Sequence, residues 1–279
     1  MTLKCKLYVV ATPIGNLEDI TLRALRVLQE VDLIAAEDTR ITRKLLSHHR
    51  INNRLTSFNE NNKKTKSEYI LEVLTSGDVA LVCDAGTPSI NDPGLTLVQQ
   101  CVQLGVDVVP VPGPSAITSA LSISNLRPGE FTYLGFLPRH ISERRSILAD
   151  LSREERVLVI LEAPHRLRDL LSDVREILGN RQLVICREMT KLFEETFYGT
   201  VEEAIDHFNV VKGEFIILLS GAVHSQKDER IMKQDAKDMM LKLYEQDIRA
   251  KEAVEKVSII TGLSRRDAYN LWLEIKNSH

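Results

Sequence analysis

The chain of 279 residues is 43% hydrophobic and 27% charged, an ordinary globular composition, and its length lies where one core tends to split into two domains. A net charge of −3 and a pI near 6.2 exclude the overall basic excess of a strong nucleic-acid binder and leave room for a local basic face. No apolar stretch approaches the length of a membrane span and the N-terminus carries no signal-peptide pattern, so a cytoplasmic protein is expected.

In chain order, Leu7 to Ala11 is a short β-prone run without polar alternation, as expected of a strand buried on both faces. It ends in Thr12-Pro13-Ile14-Gly15-Asn16, after which Leu22, Leu25 and Leu28 keep helical spacing. Leu33 to Ala36 reads as the next strand. Glu37-Asp38-Thr39-Arg40 follows at once, and Asp38 or Thr39 would cap a helix running toward His48. Arg54 to Phe58 reads as a third strand, the polar Asn59 to Lys66 as an exposed, mobile loop, and 67–75 as a helix.

The apolar run Val79 to Cys83 then feeds Asp84-Ala85-Gly86-Thr87-Pro88-Ser89-Ile90-Asn91-Asp92-Pro93-Gly94, and a helical pattern leaves it at Leu95. Its prolines fix φ and remove donors, its glycines permit positive φ or close approach of a ligand, and Asp92 would cap the next helix. Asp84 stands at the carboxyl end of the strand, where open α/β sheets bind ligands. Asp107 to Val111, Pro112-Gly113-Pro114-Ser115-Ala116 and a helix from Ser115 to Ser122 repeat the pattern. Repeated β-α units imply a mostly parallel sheet covered by helices, with four strand-end loops sharing one edge and forming one cleft.

Ser124 to Glu130 reads as a linker, which sets an N-terminal α/β domain at 1–123, a second α/β domain at 124–222 and a helical extension at 223–279. Strands of the second domain are expected at Phe131 to Gly135, Val157 to Leu161, Leu183 to Cys186, Thr196 to Gly199 and Phe215 to Leu219, with helices over 142–151 and 164–178. Glu162-Ala163-Pro164-His165-Arg166 and Arg187-Glu188-Met189-Thr190-Lys191 follow two of these strands. In the extension a helix over 231–246 precedes a pair, 251–260 and 264–276, joined at Gly262 with Ser264 as cap. That spacing suits a helix-turn-helix-like hairpin with Arg265 and Arg266 on its second helix, and equally a docking hairpin with solvated charges. Cys5, Cys83, Cys101 and Cys186 form no Cys-x-x-Cys and the histidines no His-x-x-x-His, so reduced thiols and no metal are expected.

Rival fingerprints are missing. There is no Gly-x-x-x-x-Gly-Lys-Ser/Thr phosphate loop, no Gly-x-Gly-x-x-Gly after the first strand and no Gly-x-Ser-x-Gly nucleophile elbow. What remains is a cleft of rigid, neutral backbone, suited to a folded ligand with polar edges and little phosphate.

The ordered set Ala11-Thr12-Pro13-Ile14-Gly15-Asn16-Leu17, Glu37-Asp38-Thr39-Arg40, Asp84-Ala85-Gly86-Thr87-Pro88, Pro112-Gly113-Pro114-Ser115-Ala116 and Glu162-Ala163-Pro164-His165-Arg166 resembles the tetrapyrrole methylase superfamily. Within it, the set is similar to the ribosomal small-subunit methyltransferase I family over nearly the whole chain. The resemblance implies a two-domain, class III S-adenosylmethionine-dependent α/β fold plus a C-terminal helical hairpin, usually as a homodimer. It also implies 2'-O-methylation of a decoding-centre cytidine of 16S rRNA in the small ribosomal subunit. S-adenosylmethionine would be bound by Pro13 and Gly15 at the floor of the cleft, by Asp84, Gly86, Thr87, Pro88 and Ile90, by Ser115 and Ala116, by Leu161 and Glu162, and by Gly213, Glu214 and Phe215 to Leu218 on the adenine side. Sibling methylases often carry Asp where this chain has Thr87, so Thr87 and Ile90 are expected to act through backbone.

The reaction needs a ribose hydroxyl aligned with an activated methyl group and a base to take its proton. Glu37, Asp38, His165 and Glu162 are the candidate acids and bases at strand ends, while Arg40, Arg166 and Lys191 are candidates for holding phosphates or orienting a carboxylate. Asp38 as a plain helix cap and Glu37–Arg40 as an internal pair are the structural alternatives. Local basic groups for RNA are sought at Arg139, Arg144, Arg145, Arg265 and Arg266, and the scarcity of positive charge favours an assembled ribosomal particle over bare RNA. Competing readings are the same fold acting on a tetrapyrrole or a protein, and a non-catalytic nucleotide-binding module.

Overall fold

The runs without polar alternation become the middle of a five-stranded parallel sheet: β1 (Lys6–Val10), β2 (Leu33–Ala36), β3 (Leu55–Ser57), β4 (Val79–Val82) and β5 (Asp107–Val111), in the order β3-β2-β4-β1-β5. This is a computed structural model, and it describes residues 5–90, 94–127, 129–209, 212–222, 226–246, 248–261 and 264–278. Strand β2 shows why alternation is missing. Ile34 and Ala36 enter one hydrophobic core while Leu33 and Ala35 enter another on the opposite face. Helices α1 (Leu22–Glu30) and α2 (Thr39–His48) cover the first face, and α3 (Lys63–Val73) and α4 (Gly94–Gln103) the second. Thr21 caps α1 by accepting from Ala24 N at 3.1 Å, and Asp38 rather than Thr39 caps α2 by accepting from Arg40 N at 2.8 Å.

One expectation fails here. The stretch Asn59 to Lys66 is not a loop throughout, because α3 begins at Lys63. Its asparagines satisfy one another's backbone: Asn59 N donates to Asn62 Oδ1 at 2.9 Å, and Asn62 Nδ2 donates to Ser57 Oγ at 2.9 Å. A polar stretch that supplies its own turn bonds starts a helix without an apolar signal. The expected cap Asp92 lies outside the described residues.

A second five-stranded sheet contains β6 (Phe131–Phe136), β7 (Val157–Glu162), β8 (Gln182–Arg187), β9 (Glu195–Thr200) and β10 (Phe215–Leu219), in the order β6-β7-β10-β8-β9. Only β6 and β7 run parallel, and β10, the last strand in the chain, sits in the middle between two antiparallel neighbours. One face packs on α6 (Ile141–Asp150), α7 (Leu167–Ile177) and α8 (Val201–His207). The other receives Ala120 and Leu121 of α5 (Ala116–Ser122), which pack with Val159, Val184 and Leu218. A helix made by the first repeat series thus lies on the second sheet and carries the Ser115 loop to the ends of its strands.

Met1–Ala222, with both sheets, forms one compact unit, and Val223–His279 forms another. The second contains α9 (Gln226–Glu245), α10 (Ala250–Thr261) and α11 (Arg265–Ser278) around Met240, Val257, Trp272 and Ile275. Tyr244 and Trp272 meet edge to face at 5.2 Å, and Ser264 Oγ accepts from Asp267 N at 3.1 Å, the expected cap. Gly262 lies outside the described residues. Among them, no helix is long and apolar enough to cross a membrane.

A candidate active site between two sheets

The strand-end loops after β1 and β4 of the parallel sheet are stitched together. Thr12 N donates to Gly86 O at 2.8 Å, Gly86 N returns a bond to Thr12 O at 3.1 Å, and Thr12 Oγ1 donates to Cys83 O at 3.1 Å. Gly86 takes φ +78°, and a Cβ there would stand 3.5 Å from Ile14 Cγ2 and 3.8 Å from Pro114 O. The β2 and β4 ends brace each other as well. Asp84 Oδ1 accepts from Asp38 N at 2.9 Å, and Asp84 N donates to Glu37 Oε2 at 3.3 Å. Across the opening, Asn16 N donates to Thr190 Oγ1 at 3.0 Å, so the first loop also meets the β8–β9 turn.

These loops and the ends of β7, β8 and β10 enclose a cavity of about 500 Å³, within the usual range for small-ligand sites. Ile14, Glu37, Gly86, Thr87, Ile90, Ser115 and Ala116 line it from the parallel sheet; Leu161, Glu162, Cys186, Glu214 and Ile216 line it from the other. Among the described lining residues there are three carboxylates and no lysine, arginine or histidine. Glu214 is neutralised by Lys191 Nζ at 2.9 Å. Glu162 is buried at the end of β7. Its Oε1 accepts from Ala163 N at 2.9 Å and lies 3.3 Å from Arg166 Nε, while its buried Oε2 has no hydrogen-bond partner among the described residues. Burial raises the Glu162 pKa above the ordinary glutamate value, against the opposing pull of the Ala163 N–H and of Arg166.

Other expected site residues stand outside the lining. Asp38 holds Arg40, with Nη2 2.5 Å from Oδ2, and the Arg40 side-chain and backbone donors lower its pKa to about 2. It caps a helix and is a poor base. Pro13 is buried behind Ile14, and Pro88 is buried beside Thr87. Asp84 serves as the brace described above. Gly15 marks a close approach instead of a floor: a Cβ there would lie 2.6 Å from Lys191 Cγ and 2.9 Å from Met189 O. His165 is exposed in a 3-10 turn, Pro164–Arg166, whose Arg166 Nη2 donates to Leu137 O at 2.7 Å.

Leu218 is fully buried between Val159 and Val184. The lining residues of β10 are Phe215 and Ile216, and the cross-strand neighbours of Ile216, Leu161 and Cys186, also line the cavity. Ile216 and Leu218 share a face, but Leu218 lies one alternation deeper, beneath α5. Ile14, Tyr133, Phe136 and Met189 are lining residues that sequence reasoning did not name for the site, whereas Ile216 falls inside the expected stretch ending at Leu218.

The expected RNA arginines are largely committed elsewhere. Arg144 is buried with Nη2 2.6 Å from Asp173 Oδ2, Arg145 pairs with Glu176, and Arg265 lies 3.3 Å from Glu255. Arg139 and Arg266 are exposed.

Residues 6–205 match the family described as Tetrapyrrole (Corrin/Porphyrin) Methylases. The fold is similar to that of uroporphyrin-III-C-methyltransferase from Thermus thermophilus, at TM-score 0.55 and 18% identity over 78% of this chain and 92% of that one. In sequence the chain is 43% identical to Ribosomal RNA small subunit methyltransferase I of Halalkalibacterium halodurans, over 96% of this chain and 95% of that protein. It is 52% identical to the protein of the same name from Thermotoga maritima, over 77% of this chain and 98% of that protein. The chain belongs to the tetrapyrrole methylase family, in the branch of the ribosomal RNA small subunit methyltransferases I. It is a methyltransferase and its methyl donor is S-adenosylmethionine. The cavity fits that donor: a cation at sulfur and amino group suits a site with carboxylates, apolar walls and main-chain polar edges, and no cation for a phosphate chain.

Proposed function

We propose that the chain methylates the ribose 2'-hydroxyl of a decoding-centre cytidine in 16S rRNA, acting in the cytoplasm on the small ribosomal subunit and as a homodimer. The relatives named for ribosomal RNA supply the acceptor class. The observation that carries the chemistry is the pair Glu37 and Glu162 at one cation-free cavity. When bound, S-adenosylmethionine supplies a methyl group activated by its sulfonium. A ribose hydroxyl aligned with that methyl would take it, and a base of this chain would take the hydroxyl proton.

In this reading Glu37 takes the proton. It is half-buried, it lines the cavity beside the β2 loop, and its Oε2 is oriented by Asp84 N. Glu162, deep at the end of β7, matches the positive charge of the donor. The loops contribute alignment, which supplies up to about 7–11 kcal/mol in well-oriented systems, while a base adds about 10²–10⁴ in rate.

The decisive assay is methyl transfer to small subunits that lack the modification, read by mapping the ribose methyl. Transfer to a cytidine 2'-oxygen, faster on subunits than on naked 16S rRNA, is the expected result. Transfer to a tetrapyrrole or a protein instead overturns the acceptor, and no binding of the donor overturns the enzyme. Glu37→Gln should lower kcat about 10²–10⁴-fold with donor affinity retained; normal turnover would remove Glu37 from the chemistry.

A further inference from the structure

Among the described residues the cavity lining carries no cationic side chain, and the basic groups around it are already engaged: Arg40 with Asp38, Arg166 with Glu162, Lys191 with Glu188 and Glu214. A polyanionic acceptor needs positive charge from somewhere else on the surface. Helix α2 offers it. A shallow groove is lined by Leu17, Arg40, Arg43, Lys44, Ser47 and His48. The α2 members fall at i, i+3, i+4, i+7 and i+8, one face of a helix, and run about 12 Å along its axis. Arg43, Lys44 and His48 are exposed, and among the described residues none of the three makes an ion pair. The opposite wall is held in place by His49 Nε2, 3.2 Å from Leu17 O.

Both walls are close in the chain to cavity-lining residues. Leu17 follows the lining residue Ile14 by three positions, and Arg40 follows the lining residue Glu37 by three. We propose that this groove is the track for the phosphodiester backbone of single-stranded RNA next to the methylated nucleotide, with Arg43 and Lys44 as its phosphate contacts. The proposal rests on the RNA reading above and names the surface through which that acceptor is held. Contacts of this kind position the strand and leave base identity to other groups.

The test is the double variant Arg43→Gln/Lys44→Gln in the full chain, beside the charge-preserving Arg43→Lys/Lys44→Arg. Both sites are exposed, so folding is retained. Binding to a single-stranded RNA oligonucleotide is measured against salt, together with methyl transfer to small subunits. The neutral variant should bind RNA at least about tenfold more weakly, with the slope of log K against log salt flatter by about 1.4, two phosphates at 0.7 each. Its KM for subunits should rise while kcat and donor affinity hold, and the charge-preserving variant should keep the wild-type slope. An unchanged slope and KM in the neutral variant overturn the groove even if the enzyme methylates rRNA. A wild type that shows the slope but transfers nothing to rRNA overturns the acceptor reading and leaves the groove assigned.

Discussion

Arg144 on α6 and Arg43 on α2 occupy similar ten-residue helices of the same unit, each next to a second basic residue. Arg144 is 5% exposed and locked to Asp173, 29 positions away on α7, with its Nε also donating at 2.7 Å. Arg43 is exposed and lines a shallow groove on α2. The difference teaches that a basic pair in a sequence says little about its partner. A charge leaves water only where an opposite charge meets it, and whether α7 or solvent faces that side of the helix is decided by packing. The second lobe spends Arg144 on an internal pair, while Arg43 and Lys44 of the first lobe stand in solvent with no ion pair among the described residues.

The comparison breaks most visibly at its buried end. Asp173→Ala should destabilise the protein by about 3–5 kcal/mol in denaturant titration, because Arg144 is left buried and unpaired. A loss under about 1 kcal/mol would mean that Arg144 finds water or another acceptor and is not a structural charge. The cavity carboxylates sharpen the contrast at an intermediate scale. Glu162→Gln should weaken S-adenosylmethionine binding about tenfold, or about 1.4 kcal/mol, by calorimetry.

That second variant has a pH signature. In the folded protein without donor, Glu162 holds its proton to higher pH than an unfolded-chain glutamate does, because of burial. Its contribution to stability is therefore complete below the ordinary glutamate value and is lost as pH rises through the raised one. Donor affinity should climb over the same interval as the carboxylate ionises, and Glu162→Gln should remove the climb. A wild-type profile flat through that interval would count against Glu162 as the donor's counter-charge. At the exposed end, Arg43→Gln/Lys44→Gln should change folding stability by no more than about 0.5 kcal/mol per site, so a large drop in melting temperature would show a structural task on α2.

Particular elements show how much was readable. The strands Val79–Val82 and Leu33–Ala36 were legible because burial on both faces leaves an unbroken apolar run. The convergence of Gly86, Thr87, Ser115 and Glu162 at one cavity followed from the parallel topology and from the motifs of the resemblance. Helix α8 was missed although Thr200-Val201-Glu202-Glu203 carries a capping box, with Thr200 Oγ1 accepting from Glu203 N at 3.3 Å and Thr200 N donating to Glu203 Oε2 at 2.8 Å. A seven-residue helix has too few turns to show an apolar face, so its cap was the one usable sign. Leu218 was placed one alternation too deep because motif spacing does not say where a strand passes beneath a helix.

Local patterning by itself determined the strands, most helix starts and the proline- and glycine-bearing strand-end loops, since periodicity and capping act over a few residues. Only the tertiary structure decided which of several carboxylates faces a cavity, which arginine is buried and which is exposed, and that β10 lies between β7 and β8. Those outcomes depend on partners tens of residues apart, and burial free energy is set by the groups that meet rather than by the groups that are adjacent in the chain.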